Sequence, residues 1–223
     1  MERRVKEELK KGGIRPDDKI LMLYNGDLKG RVLAYALSRV EKDYPHVKLA
    51  ALTDPFLKLS EDELYFVTSL GFEILRSPLI TSGPRSLLDY YLLRSHILKL
   101  QCEKEGYTKP LIDLSMDECS CLALKCVTAG DLSPLSSMLK GPFIVPLLKV
   151  SLREIITYSK AVGRPLIGTT FRFGPLDEVE RMCWRLLSKA SSEQARVLHS
   201  FISALEKVVG AAPPPPVDPH SYA

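Results

Sequence analysis

The sequence predicts an α/β fold: a five-stranded parallel sheet with helices on both faces, followed by a helical C-terminal extension. Three observations carry this. Short apolar runs of strand length alternate with longer amphipathic stretches, in the order βαβαβαβαβα. The breaks between them fall at Gly, Pro, Asn, Asp and Ser. A chain of 223 residues, 45% of them hydrophobic, has enough apolar surface for one substantial core with a small appendage.

Residues 2–12 read as a charged surface helix ended by Gly12-Gly13. Ile20–Leu23 is the first strand and Lys29–Tyr44 the helix after it, and Val47–Leu52 is the second strand. Ser60 opens the third helix, with Asp62 and Glu63 in its first turn and Leu64, Val67 and Leu70 on one face. Phe72–Leu75 is the third strand, Ser86–Glu105 a long helix closed by Gly106, and Pro110–Leu114 the fourth strand. Met116–Ala129 is a helix stopped by Gly130, Phe143–Val145 a short fifth strand, and Ser151 caps a helix ending at Gly163. Two helices follow, Pro175–Ala190 and Ser192–Val209, and then a Pro-rich stretch expected to be disordered. The expected organisation is a helix over 1–14, an α/β domain over 15–168, a helical extension over 169–210 and a tail over 211–223.

The net charge of +4 is mild, permitting contact with nucleic acid without arguing for it. No apolar run approaches the roughly 20 residues of a membrane span. The N-terminal MERRVKEELKK lacks the apolar centre of a signal peptide. Five cysteines without framework spacing fit reduced thiols. The expectation is a cytoplasmic protein with no membrane partner.

The stretch KILMLYNGDLKGRVLAYAL (19–37) bears most on function. A strand breaks at Asn25-Gly26-Asp27 and re-enters a helix, an arrangement that turns backbone N–H groups and a helix N-terminus toward a phosphate. Lys29 offers a point charge, and Gly26 and Gly30 admit close approach. Equally, Asn-Gly supplies a turn and Asp27 caps the helix, as in any βα connection. Tyr24 and Leu28 are bulky where a phosphate loop needs small residues. Thr53, at the end of the second strand, is a candidate adenosine contact.

Two further segments combine with this loop. Leu111–Asp131 is a strand entering a helix through Asp117-Glu118, and Ile144–Gly163 is a Pro-Leu strand followed by a helix opening Arg153-Glu154-Ile155. Together, over residues 15–209, they resemble the PP-loop ATP pyrophosphatases (adenine nucleotide alpha hydrolase-like). The match is to the branch that thiolates or lysidinylates tRNA wobble bases. The resemblance implies ATP with Mg²⁺ held by Asn25, Gly26, Asp27, Lys29, Gly30, Thr53 and Asp117. The departures are large. The Ser-Gly-Gly-x-Asp-Ser loop of the family reads YNGDLK here, keeping only Gly26, and its Gly-His-Asn segment reads Asp113-Leu114-Ser115. No Cys-x-x-Cys pair is present, so neither zinc nor an iron–sulfur cluster is expected. A chain of this kind resembles the inactive partner subunit of a tRNA thiolase. It implies a non-catalytic or weakly active partner in wobble-uridine thiolation, with tRNA and an active PP-loop subunit as partners. The alternatives are an active adenylating tRNA-modifying enzyme with a rearranged loop, or a stand-alone nucleotide sensor.

The remaining chemistry-bearing residues have ordinary readings as well. Cys119 and Cys126 share a helical face that Cys121 does not, which favours inert buried thiols over a metal site. Ser115 and Glu118 form a capping-box pattern as readily as Asp117 and Glu118 form a metal-binding pair. Arg181, Arg185 and Lys189 make a basic stripe that can track an RNA backbone or face solvent. Phe171-Arg172-Phe173 can stack on bases or plug the gap beneath the terminal helices.

Overall fold

The computed structural model describes residues 1–40, 46–77, 80, 83–163, 166, 175–193 and 196–211. Four apolar runs form strands: β1 Lys19–Tyr24, β2 Lys48–Thr53, β3 Glu73–Leu75 and β4 Lys109–Leu111. All pairings are parallel, in the order β3-β2-β1-β4. The expected fifth strand over Phe143–Val145 shrinks to a single parallel bridge between Leu111 and Ile144. Its two backbone bonds join Ile112 N–H to the Ile144 carbonyl and Ile144 N–H to the Pro110 carbonyl, both 2.9 Å. Pro142 and Pro146 bracket this segment, and proline cannot donate to a ladder, so the strand has no room to grow.

Nine helices are present among the described residues: α1 Glu2–Lys11, α2 Leu28–Val40, α3 Glu61–Ser69, α4 Leu87–Glu105, α5 Met116–Ala129, α6 Ser133–Lys140, α7 Leu152–Val162, α8 Glu178–Glu193 and α9 Val197–Ala211. Three start with a reciprocal capping box, Ser60/Glu63, Ser115/Glu118 and Ser151/Glu154, in which hydroxyl and carboxylate satisfy two orphan N–H groups. Gly106 and Gly130 close α4 and α5 in the left-handed region.

Side chains of β1 alternate between two cores. Ile20, Met22 and Tyr24 join the layer holding α1, α2 and α7, while Leu21 and Leu23 join the layer holding α4, α5, α6 and α9. α8 and α9 pack on α5, so the C-terminal helices thicken this second layer. Glu180, fully buried, carries α8 into the body of the fold. Its carboxylate accepts from the N–H groups of Leu87 and Leu88 at 2.8 and 3.0 Å, capping α4, and pairs with Lys125 at 2.7 Å. The Phe171-Arg172-Phe173 loop and the tail beyond 211 lie outside the described residues. Among the described residues, no helix is long and apolar enough to cross a membrane.

Candidate functional site

In open parallel sheets, ligands sit beyond the carboxyl ends of the strands, where the strand order reverses. Here β1 lies between β2 and β4, so that place is flanked by the loops leaving β1 and β4. Asn25, Gly26, Asp27, Lys29 and Gly30 come from the first loop, and Asp113, Ser115 and Glu118 from the second.

The first loop satisfies itself. The Asn25 side-chain oxygen accepts from the Asp27 N–H at 3.1 Å, and the Asp27 carboxylate accepts from the Gly30 N–H at 2.7 Å. These are the amides a phosphate would need. Gly26 takes a φ of +71°, and a Cβ there would lie 2.7 Å from the Glu63 carboxylate. Glu63 is itself held by Ser60, at 2.7 Å from its N–H. A carboxylate thus stands against the loop's most permissive backbone. Gly30 is required for a different reason, since a Cβ there would lie 2.7 Å from the Asn25 side-chain oxygen.

Lys29 is 1% exposed and points inward. Its ammonium donates to the Tyr91 hydroxyl at 2.7 Å and to both oxygens of Glu118 at 2.8 and 2.9 Å. Asp113 lies 3.7 Å away. An ammonium has three donors, and all three are used. Glu118 is in turn fixed by the Ser115 hydroxyl at 2.6 Å. Arg94, from α4, joins the second half of the network. It donates to Asp113 at 2.8 Å, lies 3.4 Å from Asp54, and stacks over the Tyr90 ring at 4.7 Å. Tyr90 donates to Asp54 at 3.0 Å.

Every member of this network is buried. Two cations, Lys29 and Arg94, face four carboxylates, Asp27, Asp54, Asp113 and Glu118. Burial opposes charge on Lys29, yet Asp113 and Glu118 hold its pKa above the usual lysine value. Burial likewise opposes ionisation of Asp113, but Arg94 and Lys29 draw it below the usual carboxylate range. Asp27 has no such close partner. Burial pushes it up to about 6, and its second oxygen makes no hydrogen bond. Tyr90 and Tyr91 are raised by burial and stay neutral.

The other expected contacts fall outside this network. The Thr53 hydroxyl accepts from the Ser77 N–H at 2.9 Å, tying β2 to the segment after β3. The Asp117 carboxylate accepts from the Leu152 N–H at 2.7 Å, capping α7, and burial raises its pKa. Glu118, not Asp117, reaches the loop. Arg94, Asp54, Tyr90 and Tyr91 were not among the sequence candidates. Arg94 had a legible signal, because it shares a helical face with Leu87, Tyr91 and Leu98, all buried, and a charge on an apolar stripe needs a buried partner.

As a nucleotide site the arrangement fails on two counts. Two of the loop amides and the lysine are already bonded within the protein, and the surplus negative charge repels a polyphosphate. The residues present do not fit ATP with Mg²⁺.

No family model matches the chain, and no curated protein matches it. Its fold is that of a U34-tRNA thiolase, NcsA from Methanococcus maripaludis, whose structure was determined with its [4Fe-4S] cluster. The two align with a TM-score of 0.75 at 16% identity, over 95% of this chain and 79% of that one. The parallel α/β architecture expected from the PP-loop resemblance is therefore shared with a tRNA thiolase.

This neighbour corrects one expectation. The absence of Cys-x-x-Cys spacing argued against an iron–sulfur cluster, but a thiolase of this fold carries one, and all five cysteines here are buried. The expectation of no cluster therefore does not hold. Cys119 lies within electrostatic reach of Cys126, and Cys121 of Cys183. Among the described residues no three His, Cys, Asp or Glu side chains converge as a metal-binding group. Burial raises every thiol, Cys102 and Cys121 to about 12.

Proposed function

We propose that this chain is a non-catalytic member of the PP-loop tRNA-thiolase group that acts as a partner or scaffold in tRNA wobble-uridine thiolation. The observation that carries the reading is Lys29. In a phosphate-binding loop its ammonium would face solvent and ligand. Here it is the centre of a buried ion pair with Glu118, with all its donors used. The self-bonded loop and the carboxylate surplus support the same conclusion. The kept architecture, shared with a U34-tRNA thiolase, supports the tRNA context.

A partner role has support of its own on the surface. α8 exposes Val179, Met182 and Leu186, the latter two 65% and 61% exposed, at helical spacing beside a groove against α5. A continuous apolar stripe of this kind suits a protein partner, and the occupant in this reading is an active PP-loop subunit.

Calorimetric titration with ATP, AMP and a non-hydrolysable ATP analogue, each with and without Mg²⁺, tests the reading. The expected result is no binding to any of the three, and no AMP or pyrophosphate release with tRNA present. Mg²⁺-dependent ATP binding in the micromolar range would overturn it. Co-purification with an active PP-loop subunit tests the partner half.

A further inference from the structure

The basic stripe that the sequence draws along Arg181, Arg185 and Lys189 flanks an apolar face. A different face of the terminal helices carries charge without apolar neighbours. Arg196, His199, Ser200, Ser203 and Lys207 follow the spacing i, i+3, i+4, i+7, i+11, and they line one side of α9 and the turn just before it. The opposite side, Leu198, Ile202, Leu205 and Val209, is buried in the core. Arg4 of α1 adjoins the exposed face, and together these residues line a shallow concavity of about 650 Å³. Arg4 is oriented by the Lys149 carbonyl at 3.0 Å and by Glu154. Arg196, His199 and Lys207 take part in no ion pair among the described residues. The lining contains no carboxylate and no large apolar side chain.

From this we infer that the α9 face with Arg4 is a contact site for the phosphate backbone of RNA. The middle of the face is small and hydroxylic, Ser200, Ser203 and Ala204, so a backbone can approach closely and take hydrogen bonds. Cations stand at its two ends. Arg196 and Lys207 are eleven residues apart, about 16 Å along a helix at ~1.5 Å per residue, a span that meets several phosphates and not one. A protein partner would call for aromatic or aliphatic anchors, and a membrane surface for side chains that insert. The lining has neither. The inference rests on the tRNA reading above for the identity of the RNA, but not on the state of the nucleotide loop.

The test is binding of the full chain to a fluorescent unmodified tRNA transcript across 50–200 mM salt, beside vesicles rich in phosphatidylserine. The double variant Arg196→Ser/Lys207→Ser should bind at least ten-fold more weakly. Its log–log salt slope should fall by about 1.4–1.8, since each lost phosphate contact removes about 0.7–0.9. Arg181→Ser/Arg185→Ser on α8 should stay within two-fold of the parent. Arg196→Lys should keep the slope, separating charge from packing, and equal thermal midpoints would verify folding. Unchanged tRNA affinity and slope in the first double variant would overturn the inference. So would absence of tRNA binding by the parent, or vesicle binding as tight as tRNA binding. ATP binding in the calorimeter would instead overturn the non-catalytic reading and leave this face standing.

Discussion

Replacing Lys29 by Met separates a structural lysine from a phosphate-binding one. Methionine keeps the length of the aliphatic stem and removes the charge. The ammonium makes three short bonds, one to Tyr91 and two to Glu118, in a site without water access. Hydrogen bonds to charged groups contribute about 1.5–3 kcal/mol each, so the gross loss is about 5–9 kcal/mol. Part is recovered, because Glu118 keeps the Ser115 hydroxyl and N–H, and Asp113 keeps Arg94. What remains is the cost of stranding a buried carboxylate, about 3–5 kcal/mol when one partner of a buried pair is removed. For a chain of this size that is a fall of roughly 6–20 °C in thermal midpoint, at about 2–4 °C per kcal/mol. Urea and thermal melts followed by far-UV circular dichroism measure it. The double variant Lys29→Met/Glu118→Gln, which removes the stranded charge, should regain more than half of the loss. A loss below about 1 kcal/mol for Lys29→Met would refute the argument, because that is the range of an exposed ion pair.

The remaining predictions concern neighbouring groups. Asp27 is held near 6 by burial, above its unfolded value. Its contribution is therefore favourable at pH 4 and is lost as pH rises through 6. Asp27→Asn should then be more stable than the parent at pH 7–8, by at most about 3 kcal/mol from ~1.4 kcal/mol per pKa unit, and no more stable at pH 4. Urea denaturation at several pH values checks it, and a pH-independent difference would count against it. Gly26→Ala and Gly106→Ala both force an alanine to positive φ, at about 1–2 kcal/mol. Only the first meets an obstacle, the Glu63 carboxylate, so it should cost more by at least about 1 kcal/mol in the same denaturation assay. The five buried thiols, all raised by burial, should react slowly with Ellman's reagent at pH 8 in the folded chain and at once in guanidinium. A fast-reacting native thiol would contradict their placement.

What the sequence revealed follows the range of the forces involved. The strand-and-helix order, the capping boxes at Ser60, Ser115 and Ser151, and the glycine stop at Gly130 are local, and all are legible in short windows. The helix α6 was missed. Its Ser133-Pro134 start is a helix signal, but the helix is only eight residues long and no element was placed between Gly130 and Phe143. The buried network was legible only in part. Lys29 drew attention as a phosphate ligand because a lysine beside a glycine loop has that use. Its true partners come from 62 and 89 residues further along the chain, Tyr91 and Glu118, and no periodicity joins them. The burial of Arg94 is legible from its helical face, but its partners Asp54 and Asp113 are not, for the same reason.

The cap that Glu180 places on α4 has a consequence for how the chain is made. Leu87 and Leu88 wait for a carboxylate 93 and 92 residues further along. At the about 5–20 residues per second of synthesis, that interval lasts several seconds. During it, the helix that bears Tyr91 and Arg94 has emerged from the ribosome with two of its first amides open. The partners of the Lys29–Glu118 and Arg94–Asp113 pairs all precede Glu180 in the chain, so these pairs can form while the α4 start is still open. The later arrival of α8 completes it. A stalled or truncated chain ending before α8 would present an open helix end to chaperones and proteases, marking it as incomplete.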